Sequence, residues 1–192
     1  MLTRENVLKN TNIKNYNGFD FEELSNVPKI NLRGNSTDKD FIANTSKALG
    51  IFLPTKPNTS NSNDMLKIIW LSPNEWLIEI YNNEYFKQIS LNLKKYLNTQ
   101  NTAITDVTEN RTILKLTGKN LYQLLSKFMI MNLDKVLDKK SSLAQTIFVK
   151  VSVLIIRNHD DDEIPNILLH INRSYAQYIM NLLKDGSKNI DF

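Results

Sequence analysis

Few residues in this chain could do chemistry, and their spacing limits how they could be used. There is no cysteine, which excludes thiolate nucleophiles, thiolate metal sites, iron–sulfur ligation and disulfides together. The sharpest polar cluster is His159, Asp160, Asp161, Asp162 and Glu163, whose carboxylates could ligate a cation. It lies between two segments of strand character, where a charged hairpin tip is normal, and it lacks the ligand spacing of a calcium loop. His170 alternates with Leu168 along a strand and reads as a sheet residue rather than a general base. Ser174 reads as a helix cap, not a nucleophile, because no G-x-S-x-G elbow exists. Asp106 has no obvious second titratable partner for acid–base work nearby in sequence. Gly18, Gly34, Gly50, Gly118 and Gly186 are too far apart for G-x-G-x-x-G or G-x-x-x-x-G-K-[ST], so no loop brings backbone amides against a pyrophosphate. No bound FAD or NAD is expected in this chain, and no catalytic constellation emerges.

The arginines carry more information. They are only Arg4, Arg33, Arg111, Arg157 and Arg173 in a chain rich in lysine. Arg33 leads the short motif RGN, which ends at Asn35, and Arg111 opens a strand whose Thr112, Leu114 and Leu116 alternate inward. Arg33, Arg157 and Arg173 also stand at the edges of regular elements. A guanidinium there can hold carbonyls or a carboxylate in a fixed fork, as lysine cannot. Local bracing is the simpler reading and partner binding the other. Trp70 and Trp76, one on each strand of an apolar hairpin, read as core or interface residues rather than as a stacking platform for a cofactor.

The elements that position these residues follow from periodicity. Residues 1–32 are polar with isolated apolar side chains such as Tyr16, Phe19, Phe21 and Leu24, and are expected to form an arm laid on another surface or disordered. Residues 33–192 form the folded domain, with two lobes possible at about 33–100 and 101–186. The spacing of Phe41, Thr45, Ala48 and Leu49 predicts a helix over 38–49, capped by Thr37 or Asp38 and ended by Gly50. Residues 53–64, with two prolines and many small polar residues, are expected to be loop. LKIIWL and EWLIEIY form a hairpin around Ser72, Pro73 and Asn74. A helix over about 84–98, strands at AITDVT and RTILKLTG, and a short helix carrying Leu121, Leu124, Leu125 and Phe128 follow. Long strands are expected at about 144–157 and 166–172. The last helix is read from a capping box of Ser174 and Gln177 to a stop at Gly186. This order, with strand pairs between helices, predicts an α+β fold with largely antiparallel sheets and helices on one face.

The chain has 192 residues, 41% hydrophobic, and a net charge of +4. Its lysines are scattered among asparagines rather than gathered in a stripe, which argues against a nucleic-acid module. No run of about 18 apolar residues could span a bilayer, and the N-terminus lacks the apolar core of a signal peptide, so no membrane partner and a cytoplasmic location are expected.

The residues also carry a resemblance. RGN followed by D-x-x-F, then ALGI-x-LP-x-x-PNT, WLSPNEWLI, TDVTENRTILKLTG, LLSK, LAQT and INRSYAQYIMNLL run in order from about residue 33 to 183. Together they resemble the gamma subunit of heterotetrameric sarcosine oxidase. The resemblance implies an accessory subunit with no catalytic residues of its own. Its complex demethylates sarcosine to glycine, releases hydrogen peroxide and forms 5,10-methylenetetrahydrofolate. The implied partners are the alpha subunit most directly, with beta and delta, and the implied cofactors (FAD, FMN, NAD and zinc) sit in those other subunits. The implied fold is similar to the folate-binding domain of the aminomethyltransferase (T-protein) of the glycine cleavage system. Where such transferases continue into a glycine-rich segment with an acidic residue serving folate chemistry, this chain has AQTIFVKVSVLIIRN. That difference separates a non-catalytic scaffold from the alternative, a free-standing folate-binding or folate-dependent transferase. Arg33, Asn35, Trp76, Arg111, Arg157 and Arg173 are the structural or interface candidates.

Overall fold

The computed structural model describes residues 5–8, 12–24, 27–97 and 100–190. In chain order they form β1 (Asn12–Tyr16), β2 (Phe19–Leu24), β3 (Lys29–Arg33), α1 (Lys39–Leu49), β4 (Ser60–Ser62), β5 (Leu66–Ser72), β6 (Glu75–Ile80) and α2 (Asn83–Tyr96). There follow β7 (Ala103–Asp106), β8 (Arg111–Thr117), α3 (Leu121–Ser126), α4 (Leu133–Val136), β9 (Leu143–Phe148), β10 (Val151–Arg157), β11 (Asn166–Asn172), a 3-10 turn at Arg173–Tyr175 and α5 (Ala176–Ser187). The chain divides into two compact units, residues 1–26 with 109–192, and residues 27–108.

The first unit holds a six-stranded sheet in the order β1-β2-β8-β11-β10-β9, with each observed pairing antiparallel. One face of it packs on α3, α4 and α5 around Phe19, Phe21, Leu114, Leu116, Leu124 and Ile179. The second unit holds a five-stranded sheet, β4-β5-β6-β3-β7, also antiparallel. Its core joins Ile30, Leu32, Ile68, Trp76 and Ile78 to Phe41 of α1 and Leu93 of α2. This is the α+β architecture with helices on one face of each sheet.

Local chemistry explains the elements that form as expected. Asp38 caps α1 by accepting from the amides of Asp40 and Phe41 at 2.9 and 3.2 Å. Gly50 closes the helix at φ 69° and donates to the Ser46 carbonyl, a left-handed position that costs glycine little. Gly34 has no side chain because a Cβ there would stand 2.2 Å from the Phe41 ring. At the β5–β6 turn the Ser72 hydroxyl donates to the Asn74 side chain at 2.8 Å.

Several expectations are corrected. The segment read as an arm contributes β1 and β2 to the first unit's sheet and β3 to the second unit's, and Phe19 and Phe21 are core residues. Asp20, Phe21 and Leu24 pair with Thr117, Leu116 and Ile113 of β8, so the isolated aromatics join a core whose neighbouring strand comes from about ninety residues further along the chain. Residues 1–4, 9–11 and 25–26 of that segment lie outside the described residues. The division into units therefore falls at 26/27 and 108/109, not near 100. The segment 53–64, expected to be loop, contains β4, and α4, begun by Asn132 accepting from the Lys135 amide at 3.0 Å, is an element additional to those expected. The long strand at 144–157 is the hairpin β9–β10, turned at Val149 and Lys150; Val149 has φ 56°, a turn that a β-branched residue hides from a sequence reading. The last helix starts after a 3-10 turn with no side-chain cap bond, so Ser174 and Gln177 form no capping box, and Gly186 lies inside the helix. A Cβ on Gly186 would stand 2.5 Å from Phe128; the glycine makes room for that ring rather than ending the helix.

Candidate functional site

Arg157, the last residue of β10, is buried and donates in four directions. Its Nε reaches the His159 carbonyl at 3.1 Å, and its Nη1 reaches the carbonyls of Leu137 and Asp138 at 3.1 and 3.0 Å. Its Nη2 pairs with the Asp161 carboxylate. One planar guanidinium thus ties the end of α4 to the loop between β10 and β11. The acidic run is consumed by the same loop: Asp160 pairs with Lys140 at 2.6 Å, and Glu163 accepts from the Asp160 amide at 2.8 Å. His159 Nδ1 meets the Asn166 amide at 3.1 Å, and its ring lies edge-on to Tyr122. Burial raises the Tyr122 phenol above its ordinary pKa, opposed by the Arg157 charge. Among the described residues no three His, Asp or Glu side chains gather in a metal-holding group.

Arg173 pairs with Glu109 and donates to the Glu5 carbonyl at 3.1 Å, linking the start of the last helix to the N-terminal segment. Arg111 opens β8 opposite Asn172 and is half-buried. It shares its side of the strand with Ile113, but that residue is buried too, so β8 is covered on both faces where one was expected. Arg33 pairs with Glu75 at 2.8 Å, and the Asn31 side-chain Nδ2 donates to the same carboxylate at 2.7 Å. Asn35 shapes the turn before α1, its Oδ1 accepting from the Thr37 amide and hydroxyl at 3.0 and 2.9 Å. Trp76 is fully buried, donates to the Pro54 carbonyl at 2.8 Å and lies 5.7 Å from the Phe41 ring. Of the two readings, core or interface, it takes the first: it is a core residue.

Of the sequence candidates, Arg33 and Asn35 come together. They line adjoining clefts of about 430 and 550 Å³ at one end of the second unit, with Asp38, Phe41, Asn44, Asn74 and Asn101. Arg111, Arg157 and Arg173 belong to the first unit and hold different joints. His170 is fully buried on β11 between Leu154 and Ile113, and Asp106 accepts from the Thr108 amide at 2.9 Å.

Two buried features escaped the sequence reading. Glu23 accepts from the Thr112 hydroxyl at 2.5 Å and from the amides of Val7 and Leu8 at 3.1 and 2.8 Å. In the second unit Lys29, Lys67 and Glu79 are all buried, and register sets Glu79 opposite both lysines. Burial pushes the Glu79 carboxyl up to about 7, against the pull of Lys67 and then Lys29. The Lys67 ammonium is lowered by the same burial and raised in part by Glu79. The signal was the alternation Lys67, Ile69, Leu71 facing Leu77, Glu79, where a charge recurs on an otherwise apolar strand side.

Comparison with known families matches the model described as sarcosine oxidase, gamma subunit family over residues 33–189. Comparison with curated protein sequences gives no match. Among solved structures, a chain of the heterotetrameric sarcosine oxidase of Corynebacterium sp. U-96 aligns with a TM-score of 0.76 at 17% identity, covering 92% of this chain and 87% of that one. The glycine cleavage system aminomethyltransferase T of Bartonella henselae aligns with a TM-score of 0.59 at 14% identity, covering 85% of this chain but 44% of the other. At these identities the two structures establish a shared fold.

Proposed function

We propose that this chain, which belongs to the sarcosine oxidase gamma subunit family, is the non-catalytic accessory subunit of a heterotetrameric sarcosine oxidase. In this reading it docks chiefly on the alpha subunit, with beta and delta completing the assembly. The complex oxidatively demethylates sarcosine to glycine, with hydrogen peroxide and 5,10-methylenetetrahydrofolate as further products, in the cytoplasm. FAD, FMN, NAD and zinc reside in the other subunits, and this chain supplies shape and contact surface. The observation that carries the reading is the family match over residues 33–189. The use of the arginines supports it, since Arg33, Arg157 and Arg173 are each engaged with the chain's own carboxylates or carbonyls.

The similarity to aminomethyltransferase T favours a second reading, a free-standing folate-binding or folate-dependent transferase of the same fold. The chain spans less than half of that enzyme, and its own segment at 144–157 is the plain hairpin β9–β10. Purified alone, the chain is expected to be colourless, to leave sarcosine unchanged and to show no tetrahydrofolate-dependent transfer, whereas its assembly with alpha, beta and delta turns sarcosine over. Transfer activity in the isolated chain would favour the second reading over the first.

A further inference from the structure

The outer face of a helix in water ordinarily carries charge, and the two long helices of the second unit follow that rule. α1 exposes Lys39, Asp40 and Lys47, and α2 exposes Glu84, Lys87, Lys94 and Lys95. α5 and the 3-10 turn before it differ. From Ser174 to Leu183 the sequence SYAQYIMNLL holds no charged residue, although only Ala176, Ile179, Met180 and Leu183 of it are buried. Ser174, Tyr175, Gln177, Tyr178 and Asn181 are exposed, and Leu182 is half-buried. Tyr175 and Tyr178 are 45% and 43% exposed, and with Leu182 they follow the three- and four-residue spacing of one helical stripe.

Charge returns at the two ends of this face, mostly paired within the chain. Arg173, before the first turn, pairs with Glu109. Lys188, beyond the last, pairs with Asp185 at 3.0 Å, and Lys184 stands beside them half-buried. The face between is fixed from beneath and at both ends. Ala176, Ile179, Met180 and Leu183 enter the first unit's core. The Arg173 guanidinium donates to the Glu5 carbonyl at 3.1 Å, and Lys127 Nζ donates to the carbonyls of Gly186 and Asn189 at 2.8 and 3.3 Å. On the surface itself the Gln177 amide donates to the Asn181 side chain at 2.9 Å. An uncharged centre bearing tyrosines inside a charged rim is the anatomy of a protein–protein contact, and its rigidity lowers the ordering cost of binding.

Charge and area select the occupant. A charged group brought to the centre of this face would lose its water and meet no opposite charge there, at a net cost. An interface of standard size uses about 20–30 residues a side, whereas the outward residues of this face number six, too few to hold two copies together alone. They suit one contact of a subunit that other surfaces also hold in place. We infer that the face of Tyr175, Tyr178 and Leu182 docks on a neighbouring subunit of the assembly. The patch it meets is uncharged at its centre, with apolar side chains against the two rings and carbonyl or amide oxygens that accept from the two phenols. The inference rests on the subunit reading above and deepens it by naming the surface and the chemistry of its counterpart.

The test co-expresses the full-length chain with tagged alpha and with beta and delta, and measures how much of it co-purifies. Tyr175→Ala truncates one ring, and Tyr178→Asp sets a charge on the stripe. Both positions are exposed, so the isolated variants should melt within about 2 °C of wild type. Tyr85→Ala removes a tyrosine of comparable exposure (36%) from the charged face of α2 and serves as control. Wild type and Tyr85→Ala are expected to co-purify, and the two α5 variants to fall about tenfold or more. Nitration by tetranitromethane adds a readout that needs no variant: Tyr175 and Tyr178 should be modified far more slowly in the complex than in the free chain. An assembling wild type whose Tyr175 and Tyr178 react as they do in the free chain, or α5 variants that co-purify no less than Tyr85→Ala, would overturn the docking inference alone. A wild type that fails to co-purify would overturn the subunit reading with it. A homodimer of the free chain that Tyr178→Asp disperses would assign the face to a second copy and overturn the proposed partner.

Discussion

Replacing Arg157 by lysine keeps the charge and most of the apolar stem, so it isolates the fork geometry. The guanidinium serves the carbonyls of Leu137, Asp138 and His159 and the Asp161 carboxylate from a site that is 8% exposed. An ammonium at the end of a flexible stem cannot meet three carbonyls and a carboxylate lying in different directions. At least two acceptors lose their donor; Leu137 is fully buried and its carbonyl would be left without one. Each lost bond to a charged donor costs about 1.5–3 kcal/mol, and shared loop relaxation keeps the sum below simple addition. A loss of about 2–4 kcal/mol is expected, lowering Tm by about 5–15 °C. Arg33→Lys is the contrast, because that guanidinium is 55% exposed in its pair with Glu75, and a pair of that kind is worth about 0–1 kcal/mol. Calorimetric melts of the three proteins decide the matter. Arg157→Lys melting within about 1 °C of wild type, or no lower than Arg33→Lys, would refute the argument.

The buried Glu79 gives a signed pH dependence. Its carboxyl is held near 7, above the ordinary 4.5, so the folded state binds its proton more tightly than the unfolded chain. The stabilisation is complete below about pH 4.5 and is lost as pH rises through 7. Chemical denaturation of wild type should therefore show about 2–3 kcal/mol more decline between pH 5 and 8 than Glu79→Gln, and parallel profiles would contradict this. Deletion of residues 1–28 removes β2 from beside β8, the Glu23 carboxylate and the fully buried ring of Phe21. Circular dichroism should show the first unit failing to fold, and a cooperative melt near the wild-type Tm would show the segment to be dispensable. Gly186→Ala, which in an open helix stabilises, should here cost about 1–2 kcal/mol because the new methyl meets Phe128 at 2.5 Å; a raised Tm would show that the ring yields freely.

How far the sequence could be read depends on whether the determining interaction was local. α1 was legible because Asp38, Phe41 and Gly50 carry cap, apolar face and stop within thirteen positions. The β5–β6 hairpin was legible because Pro73 and Asn74 punctuate two apolar runs. β1 and β2 were not, since a strand with few apolar residues acquires its reason from β8, about ninety residues on. The β9–β10 turn was hidden because Val149 sits where glycine or asparagine is usual. Arg157 could be suspected of bracing from its residue type and place. Glu23 could not, because its donors at Val7, Leu8 and Thr112 meet only in the folded chain. The family resemblance reached function by a different route, through ordered motifs whose physical role in assembly the sequence does not display.

A gamma-type subunit must appear in the composition of the assembled particle. Native mass measurement of the species formed when this chain is co-expressed with the alpha, beta and delta subunits should give a single heterotetramer containing one copy of it. That particle should oxidise sarcosine while the isolated chain does not. A particle of alpha, beta and delta that forms and turns over fully without this chain, or an isolated chain that performs folate-dependent transfer by itself, would contradict the account.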